Sequence, residues 1–340
     1  MLEYLGALDN EHKITPLGIS MSSFPLLPRF AKMIILGQQF GNMPYLIAIV
    51  AGLSIGDPFL SLDEIEGSWQ SDDENPEEGS EKIVSEQIRQ RRRAFDESRQ
   101  QFSALDPGCD VLRLLCAIGA YEAGGATDMF CEEKFLRIKT MKEIRKLRIQ
   151  ITGIVNNQLS GIVAPVEFTS NLDPPSALQI RTIKQVVTAA YIDQIAIRSD
   201  LLDTTITKLK AKNVMKTPYT TLSQRDSSSE NQEVFIHPNS ALAKVSSVPD
   251  YIVYSDLREA QQTARLRLIP LTSVSAKDIE PLARGTPLIQ YSKPLNYPPA
   301  RIFSENGVMQ KEVYVVPRFG IKGRGWELPS IKRIESLSKA

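Results

Sequence analysis

Cysteine and histidine are scarce in this sequence, with three of the first and two of the second in 340 residues. An odd cysteine count with no CxxC pair argues against a disulfide framework or a zinc site, and it fits a reducing compartment. Cys109 and Cys116 lie seven residues apart on one face of an expected helix, where core packing is the simplest role. His12 and His237 offer little for general acid–base work. No GxxxxGK[ST] phosphate loop, Asp-Glu-x-His box, GxSxG or HExxH occurs, so an enzyme made of this chain alone has little support. Long apolar runs are missing too. The most apolar stretch, Tyr45 to Leu53, is far too short to span a bilayer. Residues 1–20 lack the basic start and apolar run of a secretory signal. A soluble intracellular chain with no membrane partner is expected.

Net charge is absent as well, because 40 basic residues meet 40 acidic ones. That balance hides an asymmetry. Nine acids and no Lys or Arg lie between Asp63 and Glu81, which leaves 40 basic against 31 acidic residues elsewhere. The remainder is therefore basic, and one acidic segment masks it. Hydrophobic residues make up 42% and charged ones 24%, enough apolar material for two or three domains.

Leu2, Tyr4, Leu5 and Leu8 form an apolar stripe, of which Leu2, Leu5 and Leu8 need cover and predict a sticky patch. Nothing before Met1 completes a domain, which points to a piece of a longer protein. Thr15-Pro16-Leu17-Gly18 reads as a turn, and a helix is expected from Arg29. Pro44 to Ile55 is apolar nearly all round, the mark of a helix buried between neighbours. The acidic stretch 61–82, with its Gly, Ser, Asn and Pro, reads as a disordered surface insertion. A helix is expected from Lys82 to Phe102, with Val84, Ile88, Phe95 and Phe102 on one face. Within it Arg89, Arg91, Arg92 and Arg93 form a basic knot, which either binds RNA or holds the acidic segment folded back on it.

Asp110 to Ala123 reads as a further helix, stopped by Gly124-Gly125. Thr140 to Gln150 is strongly helical, with Met141, Ile144, Leu147 and Ile151 as its apolar stripe. At 100° per residue Arg148 falls within that stripe and Arg145 at its edge, while Lys142 and Lys146 lie further round. Two arginines bordering a buried face predict a lined channel or buried ion pairs, with Glu143 or Glu132 as partners for Arg148. After the break at Asn171 to Pro175, the spacing from Ile180 to Ile195 predicts one long amphipathic helix.

From about residue 213 the period changes to two. Val234–Ile236, Tyr251–Tyr254 and Arg265–Leu271 read as short strands, with both Arg265 and Arg267 facing one side of the sheet. Such a succession suits a small barrel of the OB type. From Pro287 the chain is rich in Pro, Gly and Tyr, and Glu312 to Val316 reads as a strand. Arg318, Phe319, Lys322, Arg324 and Trp326 then form a basic loop interleaved with aromatics. It would dock RNA by stacking and phosphate binding, or it is a tail pinned to another domain by Phe319 and Trp326.

Several strings, in order, resemble the C-terminal block of DEAH-box RNA helicases. Leu5-Gly6-Ala7-Leu8-Asp9, Thr15-Pro16-Leu17-Gly18 and Phe24-Pro25-Leu26-Leu27-Pro28 resemble the end of the family's winged helix. Ile49 to Ser54 with Asp57-Pro58-Phe59, and Asp110 to Leu115, resemble its helical ratchet. Lys134-Phe135-Leu136, Met141 to Ile144 and Leu147 to Ile151 resemble the ratchet helix that faces RNA. Ile236 to Leu242 followed by Tyr251 to Tyr254 resembles its OB-fold signature. The acidic insertion and the long extension resemble the nucleolar branch, which acts in small-subunit ribosome assembly and displaces U3 small nucleolar RNA.

The resemblance implies an α+β chain: a helical ratchet bundle, then a small OB-fold β-barrel, then a β-containing C-terminal extension. Its divisions are a winged-helix remnant at 1–40, a ratchet at 41–172 carrying the insertion 61–82, the OB-fold at 173–286 and the extension at 287–340. It implies that ATP and magnesium act in motor domains outside this chain, with no cofactor in the chain itself. It implies backbone contacts to single-stranded RNA from Arg137, Lys142, Arg145 and Arg148 on the ratchet side and from His237 and Ser240 on the OB side. For His237, orienting a strand turn through hydrogen bonds is an equal alternative. The implied partners are pre-ribosomal or small nucleolar RNA, the helicase motor domains, and activator or assembly proteins in the nucleus and nucleolus. A protein-docking scaffold without direct RNA binding is the rival reading.

Overall fold

A computed structural model of the chain describes residues 1–71, 81–161, 165–168, 172–202, 213–222, 233–260, 265–305, 308–321 and 325–336. They fall into two compact units. One is Ser23–Val186 with His237–Ser246, and the other is Met1–Ser22, Val187–Ile236 and Ser247–Ala340.

The first residues differ from the expected turn. Thr15 Oγ1 accepts from the Gly18 N–H at 3.0 Å, and Pro16 opens helix α1 (Pro16–Ser22). A threonine cap followed by proline at the first helical position is a helix start, because the cap satisfies a free N–H and proline has none to lose. Leu5 is fully buried and Leu2 is 39% exposed, so the expected sticky stripe is open mainly at its outer end.

The helical unit contains α2 (Pro28–Gln39), α3 (Met43–Ile55), α4 (Leu62–Ser71), α5 (Glu81–Phe102), α6 (Asp110–Ala123), α7 (Asp128–Glu133) and α8 (Ile138–Gln158). The all-round apolar helix α3 lies at its centre and packs against α2, α6 and α8. A Cβ on Gly52 would lie 2.7 Å from Leu114 Cδ2, so the missing side chain is what lets α3 and α6 approach. In α8 the buried positions Met141, Ile144, Arg148, Ile151 and Val155 recur every three or four residues, which makes one inward stripe. Arg148 falls within it, as the spacing predicts.

The acidic stretch is not wholly irregular. Ser61 and Glu64 form a capping box: Ser61 N–H donates to the Glu64 carboxylate at 2.7 Å, and Glu64 N–H donates to Ser61 Oγ at 3.3 Å. That reciprocal pair starts α4 at the head of the acid run. The expected insertion beyond Ser71 lies, for residues 72–80, outside the described residues. Glu66 meets the basic knot of α5 at Arg92, 2.7 Å away, so part of the acid run does pair with it.

Helix α9 (Ala177–Ala190) is shorter than expected, and Ile195 instead opens strand β1 (Ile195–Arg198). Ile192 and Ile195 are three apart, a spacing that suits a helix, but the alternation continues through Ile197 in the strand. With β2 (Tyr219–Thr221), β3 (Val234–Ile236), β4 (Tyr251–Glu259) and β5 (Leu266–Val274), β1 closes a barrel in the order β1-β2-β3-β5-β4. The β3–β5 pair is parallel and the other barrel pairs are antiparallel. Ile195, Ile197, Tyr219, Val234, Ile236, Val253 and Leu268 of these strands are all buried. The protein is thus α+β, with an OB-type barrel after the helices, as expected.

After α10 (Ala276–Ala283), two small sheets follow. β6 (Ile289–Tyr291), β9 (Pro317–Phe319) and β10 (Trp326–Glu327) form one, in the order β10-β9-β6. β7 (Arg301–Glu305), β8 (Val308–Val315) and β11 (Ile331–Ser336) form the other, in the order β11-β8-β7. Only the strand around Glu312 was expected. Among the described residues no helix is long and apolar enough to cross a membrane.

Gly325 sits at φ +115°, and a Cβ there would lie 2.1 Å from the Phe319 carbonyl oxygen. Gly325→Ala should therefore part β9 from β10 and cost about 1–3 kcal/mol in urea unfolding. Tryptophan emission should shift to the red as Trp326 loses its cover.

Candidate nucleic-acid interface

Two of the quoted strings meet at the start of α8. Leu60 N–H donates to the Phe135 carbonyl at 3.2 Å, Arg137 N–H donates to the Pro58 carbonyl at 2.7 Å, and Phe59 pairs with Leu136. Arg137 caps this arrangement from its side chain. It donates to the Asp57 and Phe59 carbonyls and, at 2.8 Å each, to both oxygens of Glu64. The Ser61 N–H first, and Arg137 next, hold the Glu64 carboxyl down at about 2. Arg137 thus fixes the α8 N-terminus while 34% of its side chain stays exposed.

The next two arginines converge on one carboxylate. Glu122, with only 1% of its side chain exposed, accepts from Arg145 Nε at 3.1 Å and from Arg148 Nη1 at 3.3 Å. The expected partners Glu143 and Glu132 are instead exposed. Phe168 lies under both guanidiniums, 5.7 Å from that of Arg145 and 4.6 Å from that of Arg148. Burial pulls the Arg148 value down and Glu122 pulls it back up. Arg148, at 3% exposed, lies in a buried ion pair. Arg145 differs, because 41% of its side chain stays open while one edge is held.

The solvent side of α8 carries what is left. Lys139, Lys142 and Lys146 are exposed and spaced three and four apart, so they form one row. They border a shallow depression of about 410 Å³ together with Ile138 and Glu143. Lys142 meets Asp128 at 2.7 Å, but both groups are more than half exposed, and such a pair is worth little. The implied set named Lys142 and left out Lys139 and Lys146. Their i, i+3, i+7 spacing was the available signal.

The OB-side residues take structural positions. Ser240 is buried. Its hydroxyl donates to Asp110 and accepts from the Leu242 N–H at 3.1 Å, while the Ala241 N–H reaches Asp110 at 2.9 Å. Ser240 thus caps the short turn Ala241–Lys244. His237 is half-buried, and its Nδ1 accepts from the Asn239 N–H at 3.2 Å, which orients the same turn.

In the extension, Phe319 is fully buried and Trp326 nearly so, with their rings 5.4 Å apart. Trp326 also packs 6.4 Å from Tyr251 of β4. Period-two alternation turns Arg318 outward between the buried Pro317 and Phe319. The two aromatics are therefore pinning residues and offer no face to a base. Lys322 and Arg324 lie outside the described residues. On the barrel, Arg265 and Arg267 both stand over the Phe235 ring, at 5.3 and 5.9 Å, on one side of the sheet as alternation predicts. Among the described residues no group of three His, Cys, Asp or Glu side chains is placed to hold a metal.

Comparison with known proteins matches three successive segments. Residues 1–26 match the helicase associated domain (HA2), winged-helix; residues 27–114 match the helicase associated domain (HA2), ratchet-like; residues 183–286 match the oligonucleotide/oligosaccharide-binding (OB)-fold. Three similar proteins carry the name of ATP-dependent RNA helicase. PB1A10.06c of Schizosaccharomyces pombe is 33% identical over 98% of this chain and 27% of its own length. DHR1 of Saccharomyces cerevisiae is 34% identical over 94% of this chain and 27% of its own length. DHX37 of Homo sapiens is 33% identical over 94% of this chain and 24% of its own length. The chain thus spans about a quarter of the length of these curated relatives.

Two outcomes follow from the charges. Glu122→Gln leaves Arg148 buried without its counter-charge, and should cost about 3–5 kcal/mol in urea unfolding, whereas Glu122→Gln with Arg148→Met should recover most of that. Glu64 has a lowered folded value, so its stabilisation is complete above the ordinary glutamate range and is lost as pH falls toward about 2. The stability advantage of wild type over Glu64→Gln, followed by urea unfolding from pH 7 downward, should hold steady to about pH 5 and then shrink.

Proposed function

We propose, from the premise that the chain belongs to the helicase-associated C-terminal region of the DEAH-box RNA helicases, that the open face of α8 holds the sugar–phosphate backbone of single-stranded RNA. The observation that carries this is the exposed row Lys139, Lys142 and Lys146, flanked by the half-open Arg145. Point charges in a row suit phosphates spaced along a strand and carry no base information, so the contact is salt-dependent and sequence-tolerant. His237, half-buried beside its turn, and the outward Arg318 are secondary candidates on the other elements.

In this reading the chain closes the RNA channel of a longer helicase whose motor domains bind ATP and magnesium and supply the hydrolysis. The resemblance to the nucleolar branch supports a place in small ribosomal subunit assembly, with pre-ribosomal or small nucleolar RNA as substrate, assembly proteins as partners and the nucleolus as location. The internal commitment of Arg137, Arg148, Ser240, Phe319 and Trp326 favours the second reading, a protein-docking scaffold without direct RNA binding.

Fluorescence anisotropy of the chain with a single-stranded RNA 20-mer between 50 and 200 mM salt separates them. The proposal expects salt-sensitive binding, weakened at least tenfold in Lys139→Glu/Lys142→Glu/Lys146→Glu. Losing three phosphate contacts should also flatten the slope of log K against log salt by about 2. Unchanged affinity in that variant removes α8 from the RNA, and no binding at all gives the scaffold reading its support.

A further inference from the structure

The helical unit holds a cavity of about 780 Å³ that the RNA face does not use, with Phe59, Phe95, Arg99, Arg113, Ser240 and Lys244 in its lining. Its chemistry is unusual at Arg99. This guanidinium is 8% exposed, and its Nη2 donates to the carbonyls of Leu60 at 2.6 Å and Phe135 at 3.3 Å. Its Nη1 has no hydrogen-bond partner, and among the described residues no carboxylate forms an ion pair with it. Burial, and next the neighbouring Arg113, pull Arg99 down to about 10. Arg113 is held by Asp110 at 2.7 Å, yet its own Nε is also unpartnered and enclosed. Asp57 and Asp96 act on Arg99 only from a distance. A buried guanidinium hydrogen-bonded only to carbonyls is costly, and a carboxylate is its natural complement. At the rim, Lys244 meets Asp96 at 2.9 Å with both side chains 66% exposed, a pair that an incoming acid can replace at little cost.

The walls decide which anion fits. Leu60, Leu62, Ala104, Pro107 and Pro238 make much of the lining apolar. The two phenyl rings have no open face for a base. Phe59 carries the guanidiniums of Arg99 at 4.8 Å and Arg113 at 4.7 Å, and Phe95 carries that of Arg99 at 4.5 Å. A nucleotide would need such a face for stacking, whereas a carboxylate joins a guanidinium edge-on, in its plane. The volume lies within the range of about 300–1,000 Å³ typical of ligand pockets. We propose that this cavity receives a segment of a partner protein in which an Asp or Glu stands beside an apolar side chain, the carboxylate seated against Arg99 and Arg113. It goes beyond the RNA contact on α8 and stands whether or not that contact is made.

The test is anisotropy of the 340-residue chain with fluorescein-labelled decapeptides in which Asp or Glu alternates with Leu or Phe, each beside an Asn or Gln twin. Two variants leave the arginines intact: Ala104→Trp narrows the mouth from an exposed position, and Lys244→Glu reverses the rim charge. The expected result is at least tenfold tighter binding of an acidic peptide than of its amide twin. Each variant should weaken it at least tenfold with unchanged circular dichroism, and excess single-stranded RNA should not displace the peptide. Equal binding of the twins, indifference to both variants, or no binding by any peptide of the panel would overturn the proposal. Displacement by RNA from the same variants' site would overturn it in favour of a nucleic-acid pocket.

Discussion

A buried carboxylate, Glu122, sets where the charge of the helical unit can go. Placed on the last turn of α6 with almost no exposure, it costs free energy unless a cation is brought to it, and α8 supplies two. Meeting them fixes the rotation of α8 about its own axis. With Arg148 turned inward and Arg145 at the edge, the stripe of Met141, Ile144, Ile151 and Val155 lies under α3 and α6. The same rotation puts Lys139, Lys142 and Lys146 outward as a row. The buried ion pair and the exposed basic face are two consequences of one helix orientation.

The division of labour among the cations follows from burial. Arg148, Arg99 and Arg113 are enclosed and Arg137 is partly so, and they hold loops, helix ends or a neighbouring acid, as the planar, multiply donating guanidinium suits. Lys139, Lys142 and Lys146, whose ammonium groups keep their hydration more strongly, stay on the surface. Arg145 stands between these groups, with one edge on Glu122 and the rest open. Arg148 is buried and Lys142 exposed, so two basic residues of one helix stand in opposite surroundings.

Much of the architecture was legible in the residues. The helix Asp110–Ala123 matches the expected bounds, the inward position of Arg148 follows from 3.6-residue periodicity, and the shared side of Arg265 and Arg267 follows from strand alternation. The misses have local physical causes. Thr15-Pro16 was a cap and first turn, and Ser61 with Glu64 was a capping box, both readable from side-chain chemistry. Asn306-Gly307 is the strongest two-residue hairpin signal, and it lies between β7 and β8, which pair antiparallel. Other features could not be read along the chain. Glu122 reaches Arg148 across 26 positions, and Ser240 reaches Asp110 across 130, so only the packed structure joins them.

The central claim is that RNA lies along the outward lysine row of α8. Ultraviolet cross-linking of the chain to a 4-thiouridine-bearing single-stranded RNA, with the attached peptides mapped by mass spectrometry, reads this directly. The account predicts that the principal adducts fall between residues 138 and 150. Adducts confined to the extension beyond residue 287, with α8 unmodified, would contradict it.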